Sequence, residues 1–168
     1  MRHTLQSFAA ACHEILAAQD NPAGRREVAT LLAELLADPH FVDAQFDAAS
    51  PERKVLYEDA QLGFCILAHN YAGPKDSGPH DHGPSWAIYG QARGETAMSD
   101  YVLVKPAAAD APGQVKKTRS YKLTPGAVHV YNEGDLHSPS RAGPTRLIRI
   151  EGTNMEKVQR AKYEEVAS

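Results

Sequence analysis

The stretch Gly78-Pro79-His80-Asp81-His82-Gly83-Pro84-Ser85-Trp86-Ala87-Ile88-Tyr89-Gly90-Gln91-Ala92-Arg93-Gly94-Glu95 carries two histidines two positions apart, then an apolar run, then a Gly-rich turn. On an extended backbone, side chains two apart leave the same face. Two imidazoles on one face can hold a single metal if a third ligand arrives from another strand. Taken alone, the segment also reads as an exposed strand rich in His and Asp. The third ligand therefore has to be sought elsewhere in the chain.

Downstream and upstream of this stretch the chain reads as short strands. KVLY (54–57), LGFCILAHNY (62–71), SWAIYG (85–90), ETAMSDYVLV (95–104), TRSYKL (118–123), AVHVY (127–131) and TRLIRI (145–150) are strand-like, with Gly, Pro, Asp or Asn clusters between most of them. Many short strands at fairly even spacing predict an all-β sandwich or barrel. The Pro/Ala stretch 106–113 reads as a loop, since strands resume after it.

The first forty residues differ in kind. Leu5, Phe8, Ala9, Cys12, Ile15 and Leu16 follow the spacing of one buried helix face, with Thr4 as N-cap. Asp20-Asn21-Pro22-Ala23-Gly24 reads as a turn. A second helix follows with Val28, Leu31, Leu32, Leu35 and Leu36, ending before Pro39. The expectation is one domain over 1–168: a helical lobe over 1–40, a β-barrel over 53–152 and a C-terminal tail over 153–168.

Eighteen basic against 21 acidic residues give a net charge of -3, with no long basic run, so nucleic acid is not an expected partner. No run approaches the length of a membrane-spanning helix, and Glu14 interrupts the short apolar N-terminal stretch, so no membrane and a cytoplasmic location are expected. Cys12 and Cys65 lie in apolar contexts and read as reduced packing residues.

Two spacings make the histidines resemble the metal motifs of the cupin superfamily. The first is a Gly, His-x-His, a Glu four or five positions on and a Gly seven beyond it. His80, His82 and Gly94 fit it, and Ala87 stands where the Glu belongs. The second is Gly, five residues, Pro-x-Gly, two residues, His. Gly126, Asn132 in place of the Pro, Gly134 and His137 reproduce it. The resemblance implies a mainly β fold, a jelly-roll barrel preceded by two N-terminal α-helices, with His80, His82 and His137 as metal ligands. His129, on the intervening strand, is expected to pack or to face solvent.

Within cupins, a three-His site without the carboxylate is similar to the thiol dioxygenases, the group that includes cysteine dioxygenase. The resemblance implies Fe(II), with Zn, Ni or Mn as alternatives, and addition of O2 to the sulfur of a small thiol. The chain departs from that group in three places. Ala87 replaces the Cys that forms a Cys–Tyr cross-link in the mammalian type. Arg149 and Glu151 stand where a late strand carries a His and a Tyr. Lys54, with Tyr57 close by, replaces an Arg that binds the substrate carboxylate, and lysine lacks the bidentate fork.

Candidate substrate-binding residues are therefore Lys54, Tyr57, Trp86, Arg149 and Glu151. Alternation sets Ile148 and Ile150 on one face and Leu147, Arg149 and Glu151 on the other. The charged pair then either faces water or lines the pocket as a buried pair. Asp81 and Ser85 are candidates for orienting the imidazoles, and Trp86 and Tyr89 for walling the pocket or filling the core. Expected partners are a small thiol or small organic acid and O2, and homodimeric assembly is left open. Two other functions stay open at this point: a zinc hydrolase or hydratase with Glu151 as base, and a non-enzymatic cupin that binds a small molecule.

Overall fold

The computed structural model describes residues 2–167. Helix α1 (Leu5–Ala18) starts where expected: the Thr4 hydroxyl accepts from the Ser7 amide at 3.1 Å and Ser7 reciprocates on the Thr4 amide. Helix α2 (Pro22–Leu36) begins inside the stretch that reads as a turn. The Asn21 side chain caps it, accepting from the amides of Ala23 and Gly24, and Pro22 occupies the first helical position, where a missing N–H costs nothing. A Cβ on Gly24 would stand 2.1 Å from the Gln19 carbonyl, so the tight reversal between the helices requires glycine. Pro39 ends nothing further. It opens a third short helix, α3 (Pro39–Gln45), capped by Asp38, which extends the helical lobe beyond residue 40.

Ten strands follow: β1 (Arg53–Glu58), β2 (Cys65–Tyr71), β3 (Lys75–Asp76), β4 (Ala87–Arg93), β5 (Thr96–Lys105), β6 (Gly113–Leu123), β7 (Val128–Tyr131), β8 (Leu136–Arg141), β9 (Thr145–Glu151) and β10 (Tyr163–Glu165). They form two five-stranded sheets, ordered β1-β2-β9-β4-β7 and β10-β6-β5-β8-β3. All neighbours are antiparallel except β10 on β6. The sheets curl toward one another as a jelly-roll-like half-barrel with the helices laid outside.

The two faces of the first sheet have different partners. Ile66, Ala68, Ile88, Ile148 and Ile150 face out and join Phe8, Cys12, Val28, Leu32 and Leu35 in one core. Ala87, Tyr89 and Tyr131 face in and meet Met98 and Leu123 of the second sheet. Helices on one face and a second sheet on the other leave β9 almost no solvent: Leu147, Ile148, Ile150 and Glu151 are all buried. At Gly90 an added Cβ would lie 2.8 Å from a Leu32 methyl, which is why α2 seats so closely on β4.

Three strands depart from the sequence pattern. β3 and β10 are two and three residues long. β8, LHSPSR, alternates polar and apolar residues poorly and contains Pro139, which cannot donate to a ladder. It is nonetheless held on both sides, by β5 and β3. The expected C-terminal tail is likewise structured: a 3-10 turn at Met155–Lys157 precedes β10.

Candidate metal centre

His137 lies on β8, and its backbone pairs with that of His80: each amide donates to the other's carbonyl at 2.9 Å. Directly opposed residues of such a pair project their side chains to one side. This bridge, with His82 two positions on, gathers the three imidazoles so that their ligand atoms all lie within 4.8 Å of one another. His82 and His137 are buried and His80 is half-buried.

The tautomers follow from the partners. Nδ1 of His80 meets the Gly78 carbonyl at 2.9 Å, and Nδ1 of His137 meets the Asp135 carbonyl at 2.9 Å. A carbonyl has no proton to give, so both Nδ1 atoms carry the N–H and both Nε2 atoms present lone pairs. Backbone carbonyls thus orient the rings. Asp81 and Ser85 do not: Asp81 accepts from the Gly83 amide and the Tyr163 hydroxyl, and Ser85 donates to the Trp86 carbonyl.

These lone pairs supply a test of fit for a metal. Nε2 of His82 stands 3.3 Å from Nε2 of His137 in a buried spot. The Tyr89 hydroxyl lies 3.1 and 3.2 Å from the same two atoms, and its one proton can satisfy only one of them. Nδ1 of His82 has no hydrogen-bond partner among the described residues. Burial pushes the imidazolium form out of reach, lowering His80 to about 4 and His137 to about 2, the latter helped by His80, and lowering His82 as well. Three neutral imidazoles with converging ring nitrogens are the donor set a divalent metal takes.

The surroundings are basic and aromatic. Tyr89, fully buried on β4, is raised by burial and keeps its proton. Arg149 of β9 lies over its ring at 4.1 Å. Tyr131 stacks on His137 at 3.9 Å between centroids, and half-buried His129 stacks on Tyr131 in turn, so His129 packs outside the three-histidine cluster. Beside His80 opens a pocket of about 470 Å³ whose wall includes Tyr71, Tyr89, Arg141, Arg149 and Arg160.

The five substrate candidates separate. Arg149 lines this pocket. Glu151 is buried but sits behind it, 3.7 Å from Arg149 and 3.9 Å from Arg53, and accepts from the Met155 amide. Lys54 is exposed on the outer face of β1, opposite Ala68. The inward residue there is its neighbour Arg53, paired with His69. Tyr57 donates to Asp59 beside the helical core. Trp86 points out to that same core under Arg25, and lines a separate pocket with Phe64 and Glu133. Lys54, Tyr57 and Trp86 therefore stand away from the histidines, because alternation turns each of them to the outer side.

Arg141, Tyr71 and Arg160 escaped the sequence reading. Arg141 follows His137 by four positions on β8, the strand that Pro139 disguised, so only recognition of that strand would have exposed it. Ala87 is inward and directly opposite Glu151 on β9, so the carboxylate missing from position 87 has a near neighbour. Glu151 does not replace it, since its oxygens are engaged by two guanidiniums and an amide.

No family model matches the chain, and no curated protein matches it. Solved structures that do match include several described as cupin or double-stranded β-helix proteins. One is a cupin superfamily protein from Desulfitobacterium hafniense, at 12% identity, covering 65% of this chain and 84% of that one, with a TM-score of 0.46. KdgF from a Halomonas species matches at 14% identity over 67% of this chain and 91% of that one, TM-score 0.47. An uncharacterized conserved protein with a double-stranded β-helix domain from Klebsiella pneumoniae matches at 14% over 72% and 94%, TM-score 0.46. On its own geometry, the molecule is a jelly-roll-like barrel with a three-histidine cluster suited to one divalent metal.

Proposed function

We propose that this protein is a non-haem Fe(II) dioxygenase that converts a small anionic thiol to its sulfinate. The observation that carries the reading is a ligand set of three neutral imidazoles, with no carboxylate, opening on a pocket walled by arginines. Such a set leaves the full double charge of a divalent ion and several coordination positions to be met by an anionic substrate and a gas. Fe(II) held by His80, His82 and His137 would supply the redox chemistry that lets dioxygen react with a thiolate. The overall change balances as RSH + O2 → RSO2H: sulfur gives up four electrons, dioxygen takes them, and both oxygen atoms finish on sulfur.

The protein's own part is binding and orientation. Arg149 attracts the substrate's acid group, and its position over Tyr89 keeps both side chains fixed. Tyr89, protonated and beside two of the ligand nitrogens, holds a hydrogen-bond donor at the reacting end of the pocket. A zinc hydrolase would need a free general base in this pocket. Glu151, the carboxylate nominated for that role, is tied to Arg149, Arg53 and the Met155 amide.

The test is an oxygen-electrode screen of the iron-loaded protein with cysteine, 3-mercaptopropionate, mercaptosuccinate and cysteamine, followed by mass spectrometry of the product. Oxygen uptake with a product two oxygen atoms heavier is expected for at least one acidic thiol and not for cationic cysteamine. Tight stoichiometric zinc in protein purified without added metal, together with no oxygen uptake for any thiol, would overturn the proposal.

A further inference from the structure

The pocket beside His80 carries charge that the protein itself does not balance. Arg141, Arg149, Arg160 and Lys162 all line it, and no acidic residue does. Arg141 is only 2% exposed, yet among the described residues its guanidinium has no hydrogen bond and no ion pair, and its Nε and Nη2 are buried without a partner. Its compensations are the face of Tyr71 at 4.3 Å and the field of the Asp76 carboxylate, which makes no direct contact with it. Arg149 also has a buried, unpartnered Nε, and its carboxylate, Glu151, is shared with Arg53. His69, on the same inward face of β2, has an unpartnered Nε2 as well.

A buried cation without a counter-ion is expensive, and a site built to receive an anion is the ordinary reason to keep one. The planar fork of a guanidinium matches a carboxylate in two parallel hydrogen bonds. One acid group would answer Arg141. Arg149, which shares its carboxylate with Arg53, and the solvent-exposed Arg160 at the mouth can still take a second anionic group, and a thiolate cannot be that group if it is at the metal.

We infer that the pocket binds a small molecule bearing two carboxylates, one at Arg141 and the other at Arg149 and Arg160. That the same molecule is a thiol rests on the function proposed above; the two-carboxylate requirement rests on the arginines alone. The substrate would then be a dicarboxylic thiol, taken in preference to a monocarboxylic one.

Two measurements keep these claims apart. Calorimetry of the metal-loaded protein with succinate, propionate and inorganic phosphate reads the pocket without any turnover. Succinate is expected to bind at least about 10-fold more tightly than propionate, as one further charge-assisted contact provides. Arg141→Met should abolish that preference and Arg141→Lys should keep part of it. Succinate and propionate within twofold of each other in the unmodified protein would overturn the inference, whether or not the variants fold. Phosphate binding as tightly as succinate would overturn the dicarboxylate assignment in favour of a compact phosphoryl group.

Oxygen uptake then separates substrate from chemistry. A kcat/KM for mercaptosuccinate at least about 10-fold above that for 3-mercaptopropionate is the expected result. A succinate preference with no uptake on either thiol would leave the pocket standing and remove the dioxygenase. Uptake with no advantage for mercaptosuccinate would do the reverse.

Discussion

Glu151→Gln tests the interior of the barrel most directly, because the sequence allowed this carboxylate to face water and the fold buries it. Its side chain is 3% exposed, 3.7 Å from the Arg149 guanidinium and 3.9 Å from that of Arg53. At an effective dielectric constant of about 20, each contact corresponds to about 4 kcal/mol of Coulomb attraction. The carboxylate's own desolvation, several kcal/mol per ion, cancels much of that sum. Glutamine keeps the size and the carbonyl that accepts from the Met155 amide, so what the substitution removes is the charge. Arg149 and Arg53 then face each other, and the unpartnered Arg141, with no carboxylate between them. Breaking a buried pair in this way costs about 3 kcal/mol, the lower end of the usual range.

For a chain of this length that loss lowers the melting temperature by roughly 6–12 °C. The assay is urea denaturation of the metal-free protein, read as a shift in midpoint at constant slope. The control is Glu156→Gln. Its contact with Arg53 is shorter, 3.0 Å, but the side chain is 67% exposed, so water screens it and the change should stay within about 0.5 kcal/mol. If Glu151→Gln is as mild as Glu156→Gln, the charged face of β9 is not inside the barrel, and the arginine pocket falls with it.

Four further outcomes are expected. His137→Ala and His82→Ala should each lose stoichiometric divalent metal by elemental analysis, whereas His129→Ala should keep it. Saturating metal at about 100 times its dissociation constant should raise the unfolding free energy by roughly 2.7 kcal/mol in the unmodified protein, reversed by a chelator. Asp59 is buried, which raises it, but amide bonds from Leu62 and Gln61 and side-chain bonds from His13 and Tyr57 outweigh burial and bring it down to about 2. Its stabilisation is therefore complete above the ordinary carboxylate value near 3.8 and is lost as pH falls toward 2. Asp59→Ala should cost about 3 kcal/mol at neutral pH in urea titrations and flatten the acid limb of the stability profile. Finally, burial lifts the Cys12 thiol to about 12 and that of Cys65 to about 11, so iodoacetamide should label neither in the native protein and both after denaturation.

Much of the architecture is legible in the residues because it depends on local rules. The 3–4 spacing of Phe8, Cys12 and Leu16 makes a helix whatever it packs on, and Thr4 caps it by a bond to a residue three positions away. Pro22 sits inside the stretch that reads as a turn but opens α2, and Pro39, before which α2 does end, opens a further helix that the sequence pattern does not predict. Proline breaks a helix interior but begins a helix well, and only the caps at Asn21 and Asp38 distinguish the two. The histidines are legible for a similar reason: His-x-His and the Gly126, Gly134, His137 spacing are fixed along the chain.

What the sequence by itself determined is therefore the first two helices, the longer strands and the three histidines at their motif spacings. What only the tertiary structure decided is which side of each strand is the inside. Alternation places Ile148 and Ile150 opposite Arg149 and Glu151, but it is symmetric and cannot say which pair meets water. Helices α1 and α2 break that symmetry by covering the isoleucines, so the charged face turns into the barrel. The same choice sends Tyr89 toward the histidines and Trp86 away from them. It also brings Arg141, on a strand that Pro139 concealed, into one pocket with Arg149. The three histidines of the candidate metal centre could be read along the chain, while the arginine-walled pocket exists only once two sheets and a helical lobe have competed for the faces of the same strands.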